Sequence, residues 1–330
     1  MRASPLSVRG GTSDVRRTWE NGMSETLILD SAYALSLTRV SKLSPGVVSA
    51  IMSRRPDDLH TLQDYQDWFA TVSPGMPAPS IEDVCECEDV VRQTLEHNIF
   101  VIPITSSSFP RALREIDDCP PVIYLKGNID LLAREPGVAV VGTRKASPNG
   151  LTIATRIAAY FSARDWTIVS GLAFGIDAAA HRGALEAHGP TIAVLAHGLR
   201  AASPKGNAHL AQEILDKDGA WLSEYPIDVG ARPEQFVFRN RIQIGLSAGS
   251  IIVEGELRSG SMAQAEFCLR NKRLLFAVLP DSRARNLGLV SSGTSMLVDK
   301  RGAIPIRTKD DYLSVLGALA RKRSELSDQV

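Results

Sequence analysis

The sequence predicts an α/β protein: a doubly wound, mostly parallel sheet preceded by a small helical domain. Three observations carry the prediction. Short β-branched runs recur at 138–141, 167–169, 191–195, 220–223, 250–253 and 274–278. Helix-length segments at 148–164, 176–187, 207–217, 239–248 and 261–271 lie between most of them, the alternation expected of parallel strands joined by crossover helices. The runs themselves, such as Val138-Ala139-Val140-Val141 and Ser250-Ile251-Ile252-Val253, are apolar or small at successive positions, as strands covered on both faces require.

Ahead of the sheet the texture is helical. Apolar residues fall at Leu27, Leu29, Ala32, Leu35 and Leu37, then at Val47, Val48, Ile51 and Met52, with Ser44-Pro45 as a cap and first helical residue between two helices. Residues 72–80 are rich in Pro, Ser and Gly and predict a linker, and 81–98 predict an amphipathic helix. The division expected is a disordered leader at 1–23, a helical domain at 24–98, the sheet domain at 99–307, and a C-terminal helix and tail at 308–330. The first 22 residues carry four arginines without an apolar stretch, which excludes a secretory signal.

Composition narrows the functional class. With 330 residues, of which 44% are hydrophobic, the chain can bury a substantial core. No apolar run is long enough to span a bilayer, so a cytoplasmic protein without membrane contact is expected. The formal net charge is zero, so binding to nucleic acid would have to rely on a local basic cluster. Of Cys85, Cys87, Cys119 and Cys268, only the first two are close, and no second pair completes a tetrahedral site. Reduced thiols, no metal and no cofactor are expected.

In sheets of this kind ligands gather at the carboxyl ends of strands, beside helix N-termini. The turn within 138–147 brings together Gly142, Thr143, Arg144 and Lys145, followed by Ser147-Pro148 as N-cap and first helical residue. A helix N-terminus beside two cations suits a phosphate. The residue two after Gly142 is Arg144, so the dinucleotide fingerprint is absent; the same turn also fits a purely structural bend with solvated basic side chains. The next turn, Ser170-Gly171-Leu172-Ala173-Phe174-Gly175, has glycines that leave room for a ligand's backbone. Asp177 and His181 follow on one helical face, read as a capping carboxylate and a hydrogen-bonded imidazole rather than an acid–base pair. Phe236-Val237-Phe238-Arg239-Asn240-Arg241 sets two arginines among aromatics at a helix start, suited to phosphate pairing and base stacking, or to a surface ion-pair patch. Finally, Ser259-Gly260-Ser261 offers hydroxyl and N–H donors, or a simple helix cap. Together these turns predict a basic, donor-rich groove able to follow a phosphate backbone.

The order of these pieces resembles the DNA processing protein A (DprA/Smf) family over roughly two-thirds of the chain, residues 98–303. The collinear series comprises Ser108-Phe109-Pro110-Arg111, Pro120-Pro121 and Leu125-Lys126-Gly127, then Val141-Gly142-Thr143-Arg144. Ser170–Asp177, Ala180-His181, Ser223-Glu224, Arg239-Asn240-Arg241-Ile242, Glu254 and Ser259-Gly260-Ser261-Met262 follow. The resemblance implies a Rossmann-like domain and a non-enzymatic protein that binds single-stranded DNA, helps load a RecA-type recombinase on it, and forms a homodimer. The DNA-contacting candidates it implies are Gly142, Thr143, Arg144, Lys145, Ser170, Gly171, Gly175, Arg239, Asn240, Arg241, Ser259, Gly260 and Ser261. It also implies a SAM-like or helix-hairpin-helix-like character for the N-terminal helices, with Leu43-Ser44-Pro45-Gly46-Val47 at the hairpin turn.

Departures from the family pattern mark a divergent member. They include Ser203-Pro204, Phe236-Val237, Ala263-Gln264-Ala265 and Pro280-Asp281, and a member lacking the C-terminal winged-helix-like domain is expected. Two alternatives are therefore carried: a regulatory or antitoxin component that restrains a neighbouring effector or toxin in an anti-phage defence module, and a nucleotide phosphoribohydrolase of the Lonely Guy type. For the latter, Glu266 falls on the acidic position of the signature, but its glycine opening is missing.

Overall fold

The computed structural model describes residues 23–39, 42–280 and 287–328; the expected leader lies outside them, apart from its last residue. Among the described residues four helices come first: α1 (Glu25–Arg39), α2 (Pro45–Met52), α3 (Leu62–Val72) and α4 (Ile81–Glu96). Their starts are set locally. Thr61 with Asp64, and Ser80 with Asp83, form reciprocal capping boxes at α3 and α4. Ser44 takes the cap position of α2 with Pro45 next, although its hydroxyl makes no bond to the helix.

The remainder is one nine-stranded sheet with crossover helices. In chain order it runs β1 (Phe100–Pro103), α5 (Arg111–Arg114), β2 (Val122–Gly127), β3 (Gly137–Val141), α6 (Pro148–Ser162), β4 (Ile168–Ser170), α7 (Ile176–Glu186), β5 (Thr191–Val194), α8 (Ala208–Asp216) and β6 (Ala220–Ser223). Then come α9 (Pro233–Phe238), α10 (Asn240–Gly245), β7 (Ser247–Ile252), α11 (Gly260–Arg270), β8 (Leu274–Val278), α12 (Ser292–Arg301), β9 (Ile304–Ile306) and α13 (Tyr312–Asp328). The spatial order is β1-β2-β6-β5-β4-β3-β7-β8-β9. β3 to β9 are parallel; β1 and β2 add an antiparallel edge beside β6. The fold is therefore the doubly wound, Rossmann-like sheet with N-terminal helices that the strand pattern predicts.

Side chains alternate between two apolar layers. Val138 and Val140 of β3, Ile251 of β7 and Phe276 and Val278 of β8 pack with α6, α7 and α13. Val141, Ile252, Leu275 and Ala277 face the other way, onto α10, α11 and α12. This accounts for strands that are apolar at successive positions. The core of the N-terminal helices continues without a break into β1, β2, β5 and β6.

Three differences from the sequence reading have physical causes. Within 239–248 a short helix ends at Gly245 and β7 begins at Ser247; in that strand a side chain at Gly249 would meet the Leu274 carbonyl oxygen at 2.6 Å. The small residues that look like a helix end are those a crowded central strand needs. β1 and β2 are antiparallel edge strands whose flanking prolines read as loop. The last helix is longer than its apolar centre, reaching Asp328.

A buried polar node joins α1 to its surroundings. Asp30, fully buried, accepts from Tyr65 Oη at 2.5 Å, Thr105 Oγ1 at 2.6 Å and Arg55 Nε at 2.5 Å. Asp30→Ala leaves Arg55 with only the exposed Asp57 carboxylate, at 3.7 Å, as an acidic partner among the described residues, and urea unfolding should show a loss of about 3–5 kcal/mol. A second expectation concerns pH. His181 of α7 is fully buried, with Nδ1 2.8 Å from Thr191 Oγ1, and burial pushes its pKa down to about 3. The unfolded chain binds the proton near 6.5 and the folded chain does not, so stability present above that pH is lost as pH falls toward 3. From pH 7 to 5 the loss from this group is about 2 kcal/mol. Urea titrations should show it, with a shallower pH slope in His181→Asn.

Candidate nucleic-acid interface

β3 is where the winding reverses: the chain passes from it to β4, β5 and β6 on one side, while β7 lies on the other. Loops leaving β3 and β7 diverge, and a crevice opens above their carboxyl ends, the usual ligand position in such sheets. A cavity of about 500 Å³ occupies it. Gly142, Thr143 and Arg144 form one wall; Phe236, Val237, Arg239 and Asn240 a second; Ser259, Gly260 and Ser261 a third, with Asp177, Gln243 and Gln264 also lining it.

The β3 turn is pinned to the β7 end. The Thr143 N–H donates to the Glu254 carbonyl at 2.9 Å, and a Cβ at Gly142 would lie 2.8 Å from that oxygen and 2.7 Å from Ile176. The Glu254 carboxylate, fully buried, accepts from the Ser147 N–H (2.9 Å), the Ser147 hydroxyl (2.8 Å) and the Val290 N–H (2.8 Å). Ser147 also accepts from the Gly150 N–H at 2.9 Å as N-cap of α6. The turn so held presents Arg144 and Lys145, both exposed. The Arg144 guanidinium carbon stands 5.1 Å from the Phe236 ring centre, so cation and aromatic face the cavity together.

Arg239 lies beneath the groove. It is 4% exposed, its Nη1 donates to the Val194 carbonyl, and Gln243 is placed to accept from Nη1 and Nε at 2.9 and 3.1 Å. Burial lowers its pKa to about 10, against the attraction of Asp177, so it remains a cation at neutral pH. Burial in turn raises the pKa of Asp177, opposed by Arg239 and by N–H donors from Ala173, Gly142 and Gly171. Asp177 therefore ties the β3 and β4 turns together, whereas His181 turns away toward Thr191.

Arg241 has a different task. It is 1% exposed, forms a two-pronged pair with Glu224 at 2.6 Å on each arm, donates to the Asp118 carbonyl at 2.7 Å and stacks on Phe238 at 3.7 Å. Its donors are engaged away from the cavity, and it is not among the lining residues.

The other predicted residues divide in the same way. Ser170 is fully buried and donates to the Val140 carbonyl at 2.7 Å. Gly171 admits the Arg239 guanidinium, whose Nη1 would lie 2.2 Å from an added Cβ. Gly175, at φ +78°, lies against the Thr143 and Arg144 backbone. These three shape the floor from below rather than the surface. Ser259 and Ser261 share a hydroxyl contact of 2.7 Å, and Ser259 donates to the Glu256 carbonyl at 2.8 Å. The Ser259 hydroxyl makes no capping bond to α11, and Gly260 has open space around it. Asn240 reaches over to the Gly260 carbonyl at 3.3 Å. Glu266 is exposed and paired with Arg301, outside the cavity lining. Among the described residues there is no group of acidic, histidine and cysteine side chains able to hold a metal.

The sequence already marks Phe236 as an aromatic three residues before Arg239. Gln243, Gln264 and the organising role of Glu254 carry no such signal there.

The fold and site define an α/β chain with a cationic, donor-lined crevice at the reversal point of a parallel sheet. A family model described as DNA recombination-mediator protein A matches residues 100–317, and the chain belongs to that family. It is 38% identical over 183 residues to the DNA processing protein DprA of Bacillus subtilis, covering 56% of this chain and 61% of that protein. It is 42% identical over 177 residues to that of Streptococcus pneumoniae, covering 53% and 61%. These alignments span about six-tenths of either relative. The crystal structure of the S. pneumoniae protein superposes with a TM-score of 0.62 at 29% identity, over 88% of this chain and 96% of that one. DNA processing protein A from Helicobacter pylori, described with its single-stranded DNA binding mode, gives 0.59 at 29% identity over 67% and 97%.

The geometry separates Arg241 from Arg144 by experiment. Arg241→Ala strands the Glu224 carboxylate and should cost about 3–5 kcal/mol in urea unfolding. Arg144→Ala, at an exposed position, should stay within about 0.5 kcal/mol of the parent.

Proposed function

We propose that this protein is a single-stranded DNA-binding recombination mediator, without catalytic activity of its own. The observation that carries the reading is the groove at the β3–β7 reversal, where exposed Arg144 stands beside Phe236 and the donor-rich start of α11, above the buried cation of Arg239, with exposed Lys145 next in the same turn just outside the cavity lining. Cations fix phosphates, an aromatic face accepts a base irrespective of sequence, and hydroxyl and N–H donors complete the backbone contacts. The DNA-binding mode described for the H. pylori relative supports the same ligand class. Loading of a RecA-type recombinase, a homodimeric state and action in the cytoplasm belong to the same proposal, with membership of the family as their support.

Arg144 and Lys145 are the side chains to test, because Arg239 cannot be removed without disturbing the floor. The double substitution Arg144→Ala/Lys145→Ala should lower affinity for a fluorescent oligo-dT by at least about ten-fold at low salt and reduce the salt dependence by about one to two phosphate contacts. Fluorescence anisotropy at two salt concentrations reads both, and unchanged affinity and slope would exclude the groove.

A further inference from the structure

Beyond the groove, the carboxyl edge carries a second aromatic that the residues discussed so far do not use. Phe174, in the turn between β4 and α7, is 48% exposed, an unusual state for a phenylalanine, next to Ala173 of the groove wall. The turn holding it is fixed on both flanks. Leu172 is buried at φ +59°, a left-handed backbone that a leucine adopts only when its surroundings enforce it. The restraint is visible: Asn207 Nδ2 donates to the Leu172 carbonyl at 2.8 Å, and on the other flank Ile176 N–H donates to the Thr143 carbonyl at 3.2 Å. The ring lies over the 3-10 turn Lys205–Asn207 that leads from the long β5 loop into α8. A Cβ at Gly206 would fall 2.9 Å from two of its ring atoms, so the glycine is what lets the ring rest there. Lys205, exposed, precedes that glycine.

The sheet order places these groups in a row. β7, β3, β4 and β5 are consecutive neighbours, and their carboxyl-end loops carry in turn the Ser259–Ser261 donors, Arg144, Phe174 and Lys205. At the usual strand spacing of about 4.8 Å the four strand ends that carry these loops span roughly 14 Å. Donor, cation, aromatic and cation is the alternation that a single strand's phosphates and bases require. A rigid aromatic keeps little rotamer freedom to lose on binding, which favours stacking.

Resting on the DNA-binding reading above, we propose that Phe174 and Lys205 extend the groove across the ends of β4 and β5: the Phe174 ring stacks on a base and Lys205 pairs with an adjoining phosphate of the same single strand.

The test compares full-length wild type with Phe174→Ala, Phe174→Leu, Phe174→Trp and Lys205→Ala, by anisotropy on a 20-nucleotide oligo-dT and on an abasic strand of equal length. Phe174→Ala and Phe174→Leu should bind oligo-dT at least about five-fold more weakly, and Phe174→Trp as tightly as wild type. Affinity for the abasic strand should be the same in all the Phe174 variants, because that strand offers no base to stack. Lys205→Ala should weaken both ligands and lower the salt slope by about 0.7. Wild-type affinity for oligo-dT in Phe174→Ala, or equal losses on both ligands, overturns the stacking assignment while leaving the groove at Arg144 intact. A wild-type chain that binds neither ligand overturns the DNA-binding reading and this extension with it.

Discussion

The carboxylate of Glu254 is the constraint on which the crevice depends. Two strands leave the sheet side by side at β3 and β7, and nothing in parallel pairing dictates how their loops separate. Glu254 settles it by holding Ser147 through both N–H and hydroxyl and the Val290 N–H from a third segment, while its own carbonyl receives Thr143. No lysine or arginine pairs with this buried carboxylate among the described residues; three donors and the N-terminal end of α6 stabilise its charge instead. The fit allows no excess volume. A Cβ at Gly150 would fall 2.0 Å from the carboxylate, so that glycine is required by a side chain rather than by backbone curvature.

The same economy governs the charges. A chain of zero net charge acquires a cationic groove by sorting its arginines by depth. Arg144 is exposed at the rim. Arg239 sits below with its hydrogen bonds made to protein, contributing a fixed positive field through a medium that screens it poorly. Opposing Asp177 keeps that buried cation tolerable and at the same time gathers N–H groups of the β3 and β4 turns. Electrostatics and loop geometry are thus one arrangement, and a change at Asp177 or Arg239 alters both.

Much of this was legible in the sequence. Six parallel strands announce themselves because both their faces are buried, and Ser147-Pro148 marks the start of α6 from chemistry alone. The antiparallel pair β1–β2 was not legible, because prolines on its flanks mask short strands, and only the start of β7 was obscured, by the small residues Ser247-Ala248-Gly249, of which Gly249 is fixed by its approach to the Leu274 carbonyl rather than by strand propensity. The turns of the site were found as anion-ready loops. What sequence motifs do not convey is depth: Gly171 and Gly175 read as openings for a ligand, yet what approaches them is the protein itself, the Arg239 guanidinium in one case and the Thr143–Arg144 backbone in the other.

Arg239-Asn240-Arg241 shows how depth follows from elementary geometry. Arg239 already has helical dihedrals and α10 continues from Asn240, so each residue is rotated about 100° from the one before. Two arginines at i and i+2 therefore point about 200° apart, and one groove cannot receive both. One must enter the floor, and it does so beside Asp177. Its counterpart is driven to the opposite side of the helix, where Glu224, the Asp118 carbonyl and the Phe238 ring meet it. Between them Asn240 turns toward the start of α11 and bonds the Gly260 carbonyl, steadying the donor wall of the crevice. A motif that looks like a doubled phosphate clamp is a single junction locking three parts of the fold together, and the arginine that lines the crevice at an exposed position is Arg144 on the neighbouring turn.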